Sequence, residues 1–160
     1  MTAIYASHCL EHVSHGWGHG IENTLAEWLR VLKSGGAALI SVPDLRVLSS
    51  LFINETLSTS QRAHVMRMMY GGQVDPHDFH LVGFDRDLLA AYLSRAGFCE
   101  IKQVDGGFGL FKDSSNLHYL GQRISLNVMA TACKESHEPW VTVNLANSLP
   151  VAATTTTVVR

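Results

Sequence analysis

The chain concentrates its chemically versatile side chains near its start, in residues 8–12, which read His-Cys-Leu-Glu-His. Histidine exchanges protons near neutral pH, so a histidine here can serve as a general base. The spacing His-x-x-Glu-His also suits a divalent metal, because on a helix His8 and His12 lie one turn apart on the same face. Such a metal site would use His8, Glu11 and His12 as ligands. A polar loop without a chemical role is the competing interpretation of the same residues.

Other histidines supply candidates for a further ligand. The chain contains nine histidines, and four of them are candidates for completing a metal site: His15, His19, His77 and His80. The last two belong to a second polar segment, residues 75–80, which reads Asp-Pro-His-Asp-Phe-His. Aspartate and proline also favour turns, so a solvated loop with Asx-type turns is the alternative for this segment.

Composition and charge restrict the class of protein. The 160 residues are 46% hydrophobic and 16% charged, which is typical of a globular domain with a sizeable core. The net charge of -2 gives no basic surface for nucleic acid or for anionic membrane, so we expect neither as a partner. The first residues lack the basic and apolar regions of a secretory signal. Three widely spaced cysteines without a CxxC motif favour reduced thiols, and together these features predict a cytoplasmic protein.

The elements that must position these residues are centred on residues 22–44. Apolar residues at i, i+3, i+4 and i+7 predict an amphipathic helix, with Leu25, Trp28, Leu29 and Leu32 on its buried face. Glycine adopts the left-handed conformation that ends helices, so Gly35 and Gly36 predict the helix end. The apolar run 37–42 is short and bounded by turn residues, which indicates a buried strand that ends before Pro43.

The rest of the chain continues this alternation of strands and helices. We predict a strand over 2–7, helices over 45–53, 60–70 and 85–97, and strands over 98–104 and 123–133. This order favours an α/β fold. Only a loop joins the last two strands, so they should pair as an antiparallel hairpin. We expect one domain over residues 1–133 and a poorly ordered tail over 134–160, which carries four consecutive threonines and no helical period.

Two stretches carry a family resemblance. The sequence RVLKSGG, followed by a strand that closes on SVPD, and the upstream IYASHCLEHV resemble the middle of class I S-adenosylmethionine-dependent methyltransferases, close to the type 11 group. Ser34 stands where that family usually has proline. The resemblance implies the second half of a Rossmann-like sheet, with the equivalents of strands four, five, six and seven in the spatial order four-five-seven-six. It implies S-adenosyl-L-methionine as cofactor and a small molecule as methyl acceptor.

The resemblance also implies roles for individual residues. Ser7 and His8 fall where the family places the cofactor, and His8 or His12 would be the base that deprotonates the acceptor. Some methyltransferases bind a divalent metal with a similar Glu-His pair at this place. The segment around residue 77 corresponds to a variable insertion that often covers the substrate. The residues implied as substrate contacts are Asp44, His77, Asp78 and His80.

The sequence also lacks the glycine-rich GxGxG turn after a strand that holds most of the cofactor in this family. Gly106, Gly107 and Gly109 follow a strand but lead into a polar loop. The absence of that turn leaves the strand over 2–7 as an apolar edge that can pair with another chain, in a homo-oligomer or with a different partner. Three hypotheses follow. The chain is a methyltransferase-like protein that acts on a small molecule, an inactive remnant that serves as an oligomerisation or regulatory partner, or a metal-dependent hydrolase built on the histidine cluster.

Overall fold

The computed structural model describes residues 1–16, 18 and 20–134. It shows a mixed α/β architecture built on a four-stranded sheet. The strands are β1 (Ala3–Ser7), β2 (Ala37–Pro43), β3 (Phe98–Gln103), β4 (His118–Tyr119), β5 (Gln122–Arg123) and β6 (Ser125–Ala132). The helices are α1 (Gly20–Val31), α2 (Leu45–Phe52), α3 (Thr59–Tyr70) and α4 (Arg86–Ala96).

The sheet has the spatial order β1-β2-β6-β3. β1 and β2 run parallel, whereas β6 pairs antiparallel with both β2 and β3. The predicted antiparallel pairing of the last two long strands is therefore confirmed. The segment 105–121, predicted as a loop, also contains a 3-10 turn at Ser114–Asn116 and, with the following residues, the small β4–β5 ribbon.

Local signals explain where most helices begin and end. α2 begins after Asp44, whose side chain accepts hydrogen bonds from the backbone N–H groups of Arg46 and Val47. α4 begins after Asp85 in the same way and ends at Gly97, which has the left-handed φ of 101°. The predicted helix end at Gly97 is confirmed, because a residue without Cβ adopts this conformation at no steric cost.

One face of the sheet carries the main apolar core. α1 and α4 pack on this face, and their buried leucines meet the inward residues of β2 and β6. The fully buried members include Leu25, Leu93, Ile40 and Ala130. These residues match the period of 3.6 in the helices and the period of 2 in the strands, so the apolar pattern alone determines the face.

The opposite face is covered by the loop that follows β3. The ring of Tyr5 contacts Phe108 and Phe111, with ring centroids 5.6 and 5.2 Å apart. The Asn127 side chain donates to the backbone carbonyls of Gly106 and Ser115, both at 2.7 Å. A polar side chain in the middle of β6 therefore fixes the loop against the sheet.

A smaller apolar cluster lies where α2 packs on α3. Its buried members are Leu48, Leu51, Val65 and Ile124. Since α2 starts directly after β2 and Ile124 lies directly before β6, this cluster lies at the carboxyl end of β2. It forms the support for the cavity described below.

The cysteines correct a prediction. Cys99 and Cys133 form a disulfide with their Cα atoms 5.9 Å apart, and Cys9 is free. The expectation of reduced thiols was wrong because antiparallel pairing of β3 with β6 brings together two residues that are distant in sequence. Disulfides persist in oxidising compartments, so the thiols no longer support a cytoplasmic location. No helix in the described part of the chain is both long and apolar enough to cross a bilayer. Of the predicted tail, residues 135–160 lie outside the described residues.

Candidate functional site

The candidate site lies where β1 and β2 end side by side. Ser7 pairs with Ser41 in the parallel register, and the backbone N–H of His8 donates to the Ser41 carbonyl at 2.9 Å. His8 then adopts a left-handed φ of 51°, which turns the chain sharply away from the strand. A single 3-10 turn, Leu10–His12, follows. The helix assumed for the His-x-x-Glu-His pattern is therefore absent, and His8 precedes the turn that contains the other two residues.

Glu11 is the most unusual residue of the site. Its side chain is 1% exposed, and neither carboxylate oxygen has a hydrogen-bond partner among the described residues. The Nδ1 atom of His8 lies 3.3 Å from Oε1, an ion-pair distance without hydrogen-bond geometry. The Glu11 backbone carbonyl accepts from the N–H groups of Leu81 and Val82. Glu11 is thus held firmly while its carboxylate lacks the hydrogen bonds that a buried charge requires.

Both ring nitrogens of His8 are engaged. Nε2 lies 3.2 Å from the Ser125 hydroxyl oxygen, and that hydroxyl donates its only proton to the Ser114 carbonyl at 2.7 Å. Ser125 must therefore accept from His8 Nε2, which makes this nitrogen a donor. Nδ1 faces Glu11. In this arrangement both ring nitrogens of His8 face protein atoms, Nε2 the Ser125 hydroxyl and Nδ1 the Glu11 carboxylate.

The structure brings His80 into the position that the sequence assigned to His8. Potential ligand atoms of Glu11, His12 and His80 all lie within 4.8 Å of one another. The His12 and His80 rings meet edge to face with centroids 4.8 Å apart. The Nδ1 atom of His12 lies 3.0 Å from the Phe79 carbonyl oxygen, which can only accept, so Nδ1 is the donor and Nε2 is the nitrogen left for a ligand.

Burial controls the protonation of His80. Desolvation lowers the pKa of His80, the nearby carboxylate of Glu11 acts in the opposite direction, and His12 adds to the lowering. Because its ordinary pKa is already below 7, His80 is a neutral imidazole near neutral pH, the form that accepts protons and binds metals.

A cavity of about 390 Å³ adjoins this cluster. Such a volume suits a small molecule. Its wall combines basic or donor side chains with apolar ones; the polar members are His8, His64, Arg67 and His80, and the apolar ones include Leu48, Met68, Leu117 and Ile124. The cavity lies outside the carboxyl ends of β1 and β2, where open α/β sheets bind their ligands.

The sequence missed two residues of this wall. His64 and Arg67 lie three positions apart in α3, so they share one side of the helix with Met68 and Gly71. That spacing was the available signal. This spacing is hard to recognise in the sequence, because α3 has no strongly apolar face that would distinguish a polar, functional face from the rest of the helix.

The predicted substrate residues separate into two groups. His80 lies in the cavity wall, whereas Asp44 caps α2 with its carboxylate. Residues 75–78 form a turn in which Asp75 accepts from the His77 N–H at 2.7 Å and Asp78 accepts from the Val74 N–H at 3.3 Å. His77 is exposed. The turn interpretation therefore describes most of residues 75–80, and His15 lies outside the metal cluster. His19 falls outside the described residues.

A row of buried polar side chains crosses the sheet at the level of Ser7. Ser7 pairs with Ser41, and Ser41 pairs with Asn127. The hydroxyls of Ser7 and Ser41 and the Oδ1 atom of Asn127 are buried without a hydrogen-bond partner in the described chain. Buried polar atoms are seldom left unpaired, so each exception calls for a ligand, a water or a functional role. The sequence signal was Ser41 inside the otherwise apolar run of β2.

Comparison with known proteins gives matches in structure alone. No family model matches the chain, and no curated protein does. A solved carbon methyltransferase, CurJ, matches 82% of this chain and 29% of its own length, with 14% identity and a TM-score of 0.46. A Bordetella parapertussis structure described as a possible exported protein matches 82% of this chain and 39% of its own length, with 13% identity and a TM-score of 0.50. The chain thus spans well under half the length of each structure, and the second likeness shows similarity of fold.

Proposed function

We propose that the chain binds a small molecule in the cavity at the carboxyl ends of β1 and β2, and that it acts there as an S-adenosyl-L-methionine-dependent methyltransferase. The observation that carries the proposal is the position of the cavity, enclosed by α3 and lined by His8, His64, Arg67 and His80. In open α/β sheets this edge is the ligand-binding edge. The sequence resemblance supplies the reaction class.

The cofactor would bind beside Ser7 and His8. Ser7 carries a buried hydroxyl without a hydrogen-bond partner among the described residues, which fits a polar ligand at the end of β1. S-adenosyl-L-methionine, when bound, supplies the methyl group. The ring of His8 would be held beside the cofactor by the contact of its Nδ1 atom with the Glu11 carboxylate. The other contribution of the chain would be to align the methyl acceptor with the cofactor, since alignment alone removes a large part of the barrier to a displacement reaction.

Proton removal from the acceptor falls to His12 or to His80. His8, the other candidate base, has both nitrogens engaged. Nδ1 of His12 faces the Phe79 carbonyl, which leaves Nε2 for the acceptor, and its neighbour His80, whose pKa is lowered by burial, lies in the cavity wall. Arg67 and His64 favour an acceptor that carries an anionic or hydrogen-bond-accepting group. Asp44, His77 and Asp78 have no part in this proposal because capping and turn contacts engage them.

A second candidate function rests on the outer edge of β1. Within the described residues β1 pairs with β2 alone, so its other edge presents unpaired backbone groups that can extend a sheet. We propose a second copy of this chain as the occupant. In this case the protein acts as an oligomerisation or regulatory partner without catalysis of its own.

Calorimetric titration with S-adenosylhomocysteine separates the two candidates, after the mass in solution has been measured by sedimentation. Saturable binding that is lost in the Ser7→Val variant supports the methyltransferase proposal. A folded dimer that does not bind S-adenosylhomocysteine supports the second candidate. A folded monomer without binding contradicts both.

A further inference from the structure

We propose that Glu11, His12 and His80 form a binding site for a divalent transition-metal ion of the Zn²⁺ class. The inference concerns the ion alone and does not depend on the methyltransferase proposal; with the ion bound, His12 and His80 would be its ligands and would not serve as the base for the acceptor. It differs from the site expected from the sequence, because His80, a residue from a distant part of the chain, takes the place of His8.

The carboxylate of Glu11 is the first argument for an ion. It is 1% exposed, and both oxygens lack hydrogen bonds from the described residues. A buried carboxylate is stable only when a cation or several donors face it. His8 faces one oxygen from 3.3 Å and leaves the other oxygen without a partner. An ion between Glu11 and the two histidines would supply the missing interaction.

The second argument is the way in which both histidine rings are held. Nδ1 of His12 lies 3.0 Å from the Phe79 carbonyl oxygen, and the His80 ring meets the His12 ring edge to face with centroids 4.8 Å apart. Histidines that bind metals usually donate one ring N–H to a carbonyl or carboxylate, which fixes the ring and leaves the other nitrogen for the ion. His12 has that arrangement, and its ring packs against the ring of His80.

The backbone holds the two halves of the site together. The N–H of Leu81 donates to the Glu11 carbonyl at 2.7 Å, and the N–H of His80 donates to the Tyr70 carbonyl at 3.1 Å. The segment with Glu11 and His12 is therefore joined directly to the segment with His80. Ligands bound to one zinc ion at about 2.0–2.2 Å lie about 3–3.5 Å apart. Rotation of side chains that now lie within 4.8 Å can bring them to this spacing.

The donor set determines the class of ion. Two imidazole nitrogens and one carboxylate suit zinc and its transition-metal neighbours, whereas calcium and magnesium prefer oxygen ligands. Three protein ligands leave a fourth position for water or for a ligand atom. His80 also lies in the cavity wall, so the ion would be next to any small molecule bound there.

The test uses the full chain after treatment with EDTA and removal of the chelator. Zn²⁺ is titrated by calorimetry, and Co²⁺ is followed by its visible absorption, which reports nitrogen and oxygen ligation. We expect one equivalent to bind, and we expect Glu11→Gln, His12→Gln and His80→Gln each to weaken binding by at least tenfold. The control is His77→Gln, because His77 is an exposed histidine three residues from His80 and outside the cluster.

Two results would overturn the proposal. One is the absence of saturable Zn²⁺ binding by folded wild-type protein. The other is an equal loss of affinity in His77→Gln and His80→Gln, which would indicate scattered surface histidines. Thermal unfolding of each EDTA-treated variant confirms that it is folded, and Glu11→Gln keeps the shape of the side chain while it removes the buried charge. Because no S-adenosylhomocysteine is present, failure here is separate from failure of the proposed function.

Discussion

Two buried regions of this molecule follow opposite rules. Under α1 and α4 the buried side chains are almost all carbon, and residues such as Ile21, Leu25 and Leu93 are completely enclosed. At the carboxyl edge of β1 and β2, burial is equally deep, but Glu11, Ser41 and other polar groups lack hydrogen-bond partners in the described chain. The first region stabilises the fold. The unpaired polar groups of the second region lower the stability of the fold. Such groups are expected only where a bound ligand offsets this loss.

The largest difference should appear on removal of side chains from the apolar region. Leu93→Ala should lower the free energy of unfolding by about 2–5 kcal/mol, because a completely buried leucine leaves a cavity. Leu88→Ala in the same helix is the matched control, since Leu88 is 48% exposed. Urea denaturation measures both. Equal effects of the two substitutions would contradict the assignment of the core.

A ligand that binds at the carboxyl edge of β1 and β2, where the unpaired polar groups lie, should raise the free energy of unfolding. Zn²⁺ at about one hundred times its dissociation constant should add about 2.7 kcal/mol to the free energy of unfolding of the wild type, because it binds the folded state. At the same Zn²⁺ concentration Glu11→Gln should gain at most about 1.4 kcal/mol, because its affinity is expected to be at least tenfold lower. In EDTA the variant should be at least as stable as the wild type, since it removes a buried charge without hydrogen bonds. A strong loss of stability in EDTA would show that the carboxylate is already compensated.

An intermediate effect is expected at Asn127, where the two regions meet. Its amide donates two hydrogen bonds of 2.7 Å to the loop that covers the sheet. Asn127→Ala should lower the free energy of unfolding by about 1–3 kcal/mol, since two buried carbonyls lose their donor. The exposed Asn116 provides the control substitution. Hydrogen exchange in residues 104–117 should rise in Asn127→Ala and remain unchanged in Asn116→Ala.

The smallest change in stability should occur at Ser7. Its hydroxyl is buried without a partner in the described chain, so Ser7→Ala removes no hydrogen bond and should change the free energy of unfolding by less than about 0.5 kcal/mol. The same variant should bind S-adenosylhomocysteine more weakly. Thermal unfolding and calorimetry measure the two quantities, and a large loss of stability would place Ser7 among the structural residues.

The sequence predicts the first region much better than the second. The apolar periods over 22–42 and the aspartate and glycine at the two ends of α4 are local signals, and the structure confirms them. The cluster around Glu11 depends on contacts between distant segments, such as the hydrogen bond from Leu81 to Glu11. The local pattern therefore pointed to His8, Glu11 and His12, whereas the structure groups Glu11 and His12 with His80. The Cys99–Cys133 pair was missed for the same reason.

The most direct test of the account is a set of amide NMR spectra of the isotope-labelled chain, recorded with and without Zn²⁺ or S-adenosylhomocysteine. The account predicts shifts that saturate and that centre on residues 7–12, on the cavity side of α3 and on His80, while the amides of α1 and α4 stay unchanged. Spectra without change at saturating concentrations of both ligands, or changes confined to α1 and α4, would contradict the claim that the polar edge of the sheet is the functional region.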